Sequence, residues 1–155
     1  MSVDVLLVFG LSAGVVSVAL WRGGKPEIAG ATILALGWFA DFLAALWGAS
    51  GGFSDFSSTR FVIDLVEFVL LLGLALSANR VWPIFSAAAQ LVAVAGSLAV
   101  WGSGGAGMQV AYWAVTQLPL FGQLAALTLG TLFHLRRQAV IGPYRAWRVA
   151  HPLHD

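Results

Sequence analysis

Apolar residues along this chain come in long, nearly unbroken runs, without the strict alternation of a half-buried strand. Five runs stand out, Val3 to Trp21, Glu27 to Trp47, Arg60 to Asn79, Val81 to Trp101 and Met108 to Leu135. Each is near the roughly 20 residues that a helix needs to cross a bilayer. The pattern predicts an all-α integral membrane bundle of five transmembrane helices, forming one domain over residues 1–135, with a basic, aromatic tail over 136–155. Pro26 suits the first turn of the second helix. Little more than Asn79 and Arg80 separates the third run from the fourth, so those two should form a tight hairpin. Pro119 removes a backbone donor inside the fifth run and predicts a kink or tilt there.

Charge in the connections sets an expected orientation. Arg22 and Lys25 follow the first run, Arg80 the third, and Arg136, Arg137, Arg145 and Arg148 the fifth, which places them on one side if all five runs span. By the positive-inside rule the N-terminus then faces out and the C-terminus is cytoplasmic. A four-span alternative with a re-entrant third and fourth segment would put Arg80 at membrane depth, and is the poorer reading. The first run lacks the basic start and small-residue cleavage site of a secretory signal, and is read as a retained helix. The tryptophans agree with this layout: Trp21, Trp82 and Trp147 fall near the expected inner interface and Trp47, Trp101 and Trp113 near the outer one, leaving Trp38 mid-helix.

Composition narrows the class. The 155 residues are 59% hydrophobic and 10% charged, with a mean hydropathy of +0.87, so water is not the expected solvent. A net charge of +1 with scattered basic residues argues against a nucleic-acid surface. The absence of cysteine excludes disulfides, thiolate metal sites and cysteine nucleophiles. Small residues mark expected helix-packing positions, Gly10 and Gly14 as GxxxG on the first helix, where packing within this bundle is favoured over an interface with another subunit, and Ala89, Ala93 and Gly96 on the fourth.

Candidate chemistry gathers on the third run, RFVIDLVEFVLLLGLALS, where Arg60, Asp64 and Glu67 are spaced to share one helical face. An ionised side chain at the bilayer centre costs roughly 2.5 to 3.5 kcal/mol on insertion scales, so such groups are retained when a partner or a function compensates. Counted from the helix ends, Asp41 of the second helix reaches a depth similar to Glu67, and Gln90 and Gln117 can approach from the fourth and fifth. These six residues form the expected intramembrane polar cluster. One reading makes it a structural knot in which Arg60 pairs with Asp64, and Glu67 reaches the second helix through Asp41 or a glutamine. The other makes it a cation or proton site, because clustered acids resist simultaneous ionisation.

Other motifs carry less. GSGGAG at residues 102–107 fits a dinucleotide-binding pattern literally but follows a membrane helix in place of a strand, and reads as a turn. The fifth helix has one histidine, His134, so paired haem ligands are lacking. His151 and His154 read as a solvated tail. Arg136, Arg137, Tyr144, Arg145, Trp147 and Arg148 suit contact with anionic lipid headgroups. No hydrolase triad, metalloprotease helix or P-loop is present in the sequence. No cofactor or metal is expected, and the chain reads as non-enzymatic. The expected function is an accessory or structural subunit of a larger complex in a bacterial inner membrane, with lipids and other membrane subunits or further copies of itself as partners. The alternative is a small proton- or cation-coupled transporter using the carboxylates, and a third is a membrane enzyme acting on lipid or quinone.

Overall fold

The computed structural model describes residues 3–48, 57–102, 109–142 and 147, with the side chains of 3–7, 109–113, 115 and 116 left aside. Among them are five helices, α1 (Val3–Arg22), α2 (Lys25–Leu46), α3 (Ser58–Ser77), α4 (Trp82–Gly102) and α5 (Gln109–Ile141). The protein is all-α. Three of these helices are long and apolar enough to cross a membrane: α2, α4 and the Gln117–Ile141 part of α5. Helix α3 has a similar length, but Arg60, Asp64 and Glu67 load it with charge. These spans suggest a membrane protein.

Local sequence explains where the helices begin and end. Gly24 caps α2 with an extended backbone, Pro26 fills an early position where a missing donor costs nothing, and Glu27 in the first turn complements the helix dipole. Ser57 caps α3 by accepting a hydrogen bond at its Oγ from Arg60 N at 3.3 Å. Helix α5 continues through buried Pro119 and runs on past Leu135 to Ile141, so Arg136 and Arg137 belong to its last turns. It stops where Gly142 takes a left-handed φ of 81°.

Packing follows chain order. Helix α1 lies on α2, α2 on α3, α3 on α4 and α4 on α5, and α5 returns to α1, with a further contact between α2 and α5. The ring is closed. Leu34, Leu71 and Leu127 are fully buried at its centre. Its outside carries Phe39, Phe42, Val69, Leu76, Phe85 and Phe133, each more than half exposed. So large an apolar exterior suits lipid contact, since soluble monomers keep such patches small.

The small residues divide into two groups. On α4, Ala93 is buried and Ala89 half-buried, and a Cβ added to Gly122 of α5 would meet Ala89 Cβ at 3.6 Å, so this pair lets α4 and α5 approach closely. Gly96 is half-buried on the same helix. Gly10 and Gly14 behave otherwise. Both are exposed, and a Cβ at either would meet nothing within 4 Å. They edge an apolar groove of about 370 Å³ between α1 and α5, also lined by Leu11, Val15, Thr128 and Leu132.

Candidate functional site

Two buried polar layers cross the bundle. The turn end of the bundle carries the α1–α2 and α3–α4 connections and the end of α5; the loop end carries the other two connections. The layer toward the loop end contains most of the residues expected from sequence. Arg60 Nε lies 3.9 Å from Asp41 Oδ1, a contact of charges between α3 and α2 that is too long for a hydrogen bond. Gln90 Nε2 on α4 donates to Asp64, at 3.1 Å to Oδ1 and 3.2 Å to the backbone oxygen. Gln123 Nε2 on α5 donates to Gln90 Oε1 at 2.6 Å and reaches Glu67 Oε1 at 3.5 Å. Glu67 is buried with its carboxyl against Gly37 of α2, where a Cβ would collide with Oε2. Four helices are tied together by side chains that leave few alternatives in an apolar surround.

Two sequence expectations change here. Arg60, expected to pair with Asp64 along its own helix, also reaches across to Asp41, and Asp64 in addition takes hydrogen bonds from Gln90. The α5 glutamine in the network is Gln123. Gln117 is half-buried and six residues earlier, about 9 Å along the helix axis at 1.5 Å per residue. Asp41, Arg60, Asp64, Glu67 and Gln90 are therefore brought together with Gln123, while Gln117 lies nearer the loop end.

Sequence reasoning missed the second layer, at the turn end. Glu27 is completely buried, and its Oε1 accepts from Arg80 Nε at 3.2 Å and from Trp82 Nε1 at 3.0 Å. Arg80, with 8% of its side chain exposed, also brings Nη2 to within 3.5 Å of His134 Nδ1 on α5. A first-turn acid, the arginine of the α3–α4 turn, the first residue of α4 and a histidine of α5 thus form one knot. The available signal was charge sign: Glu27 is the acid nearest the turn end, where Arg80 also had to lie. Trp82, expected in an interfacial belt, is 6% exposed and lies with its ring against Gly30 and Gly130. Trp21, Trp47 and Trp101 are exposed, as a belt requires. Ser86, buried one turn from both Trp82 and Gln90 on α4, stands between the two layers.

At the turn end Arg136 and Arg137 are exposed, while Trp147 is half-buried, bridges to Ala78 and packs on the core. Tyr144, Arg145, Arg148, His151, His154 and most of GSGGAG lie outside the described residues, and so does the side chain of Trp113. Among the described residues no group of three or more potential ligands is placed to hold a metal ion.

A scan against protein-family models, a search of curated proteins and a search of solved structures found no match to this chain.

Proposed function

We propose that this is a small multi-pass protein of a bacterial inner membrane, oriented with its turn end in the cytoplasm, that serves as an accessory or structural subunit of a larger membrane complex. The observation that carries this reading is the open face of α1. Gly10 and Gly14, spaced to let a second helix backbone approach closely, meet no atom of the described residues where a side chain would sit. The internal polar groups meanwhile bond to one another across helices, which suits glue within a scaffold. Filling the face tests the reading: with Gly10 and Gly14 both replaced by leucine, the bundle should fold normally yet lose its partner during purification from native membranes. Partner recovery equal to wild type would remove this face from the assembly.

A second reading, proton- or cation-coupled transport, is favoured by the charge balance of the loop-end layer. Among the described residues Asp41, Asp64 and Glu67 face a single guanidinium there, that of Arg60, and a half-buried to buried excess of carboxylates calls for protons or a cation. Flux in proteoliposomes should then fall at least tenfold in D41N and E67Q. Undiminished flux in both variants would exclude the carrier.

A further inference from the structure

The turn-end layer contains an acceptor with no donor. Glu27 Oε1 takes both bonds, from Arg80 and Trp82, while Oε2 of the same fully buried carboxyl has no hydrogen-bond partner among the described residues. An anionic oxygen in that state is costly, and so it is expected to serve some donor in another state of the protein.

The neighbouring side chain identifies that donor. A Cβ added to Gly24 would sit 2.8 Å from Glu27 Oε2, 2.8 Å from His134 Cε1 and 3.1 Å from His134 Nδ1. The carboxylate oxygen and the imidazole edge therefore border the same small space, which glycine leaves open. A guanidinium can only donate, so the Arg80 contact makes His134 Nδ1 an acceptor and places the proton of the neutral ring on Nε2. His134 is only half-buried, two turns before the end of α5.

We propose that Glu27 and His134 form a proton-binding site at the turn end of the bundle. A proton taken up on Nδ1 converts that nitrogen from acceptor to donor. The bond from Arg80 Nη2 is lost, and Nδ1–H instead donates to Glu27 Oε2, while Arg80 Nε keeps its place on Oε1. Two like charges then face each other, so the Arg80 head must turn from the ring, and α5 becomes tied to α2 by a charge-assisted bond. Among the described residues the charged or titratable groups bordering this space are Glu27 from α2, Arg80 from the α3–α4 connection and His134 from α5. Trp82 is the contribution of α4. Arg22 of α1, Lys25 of α2 and Arg136 and Arg137 of α5 are exposed at the same end, and the charges of α3 lie in the other layer.

Nitrogen-15 NMR of the full chain in lipid nanodiscs, with labelled histidine and H134Q to separate His134 from His151 and His154, tests the proposal between about pH 5 and 8, where imidazoles change charge. The expected result is an Nε2–H tautomer at high pH and, on acidification, an Nδ1–H resonance shifted as by a bond to a carboxylate. That shift should vanish in E27Q. It should also vanish in G24A, whose added methyl occupies the space between the two groups; Gly24 has φ −77°, which alanine adopts freely. Should E27Q fail to fold, G24A decides alone. An Nδ1–H tautomer at high pH, or an acid form of His134 unaltered by G24A, would overturn the site.

Discussion

Replacing Glu27 by alanine is expected to destabilise the folded bundle by about 3 to 5 kcal/mol, the cost of breaking a buried ion pair from one side. The loss exceeds that of one interaction because Glu27 Oε1 satisfies two buried donors, Arg80 Nε and Trp82 Nε1. Without it a guanidinium with 8% of its side chain exposed loses its carboxylate partner, and the indole N–H of a 6% exposed tryptophan loses its acceptor. The substitution also separates three elements at once, since α2, the α3–α4 turn and α4 converge on that oxygen. Equilibrium unfolding in mixed detergent micelles measures the effect. A cost under about 1 kcal/mol would show that Arg80 finds water easily, as exposed pairs do.

The second large effect is expected at Gly130, which gives Trp82 its place. A Cβ there would sit 2.6 Å from Trp82 Cγ and 2.8 Å from Nε1, too close for any real contact, and Gly30 approaches the other edge of the same ring. G130A should therefore cost about 1 to 3 kcal/mol through overpacking. The cause is specific and can be isolated. In a W82L background the ring is gone, and the further cost of G130A should shrink to about 0.5 kcal/mol or less, a strong departure from additivity. Equal costs of G130A in both backgrounds would mean that Trp82 does not occupy the space between α2 and α5.

The five helices were legible because bilayer length and apolar content are coarse signals that survive errors of a few residues at each end. Their order around the ring was less so. Short turns imply that α1 packs on α2 and α3 on α4, but nothing in the sequence shows that α5 closes back on α1. The GxxxG on α1 illustrates the ambiguity: spacing shows that a close approach is allowed, and only the structure shows that none of the described helices makes it.

The loop-end layer was half legible, and helix length explains the missing half. Depth counted from each helix end works when every helix just spans the bilayer, and it placed Asp41 and Glu67 within one layer. At 33 residues α5 is about 50 Å long, far more than a bilayer core requires, so counting from its start reached Gln117 before Gln123. The contact of Arg60 with Asp41 was not legible because helical spacing describes neighbours along α3 and says nothing of a partner across the gap. The turn-end layer was invisible for a different reason. Glu27 and Arg80 both lie at the edges of apolar runs, where charges ordinarily face headgroups and water, and Trp82 reads as an interfacial ring until Gly30 and Gly130 are seen to flank it.

The bundle is tied together by two internal polar layers, and the α1–α5 groove is proposed to receive another membrane helix. The most direct test is mass spectrometry of the untagged neighbours recovered, in fixed proportion, with the wild-type protein gently purified from its native membrane. The account predicts one or more larger membrane proteins at constant stoichiometry, with a crosslink from residues beside Gly10 or Gly14. Recovery of the chain with lipid alone, and no crosslink at that groove, would contradict it.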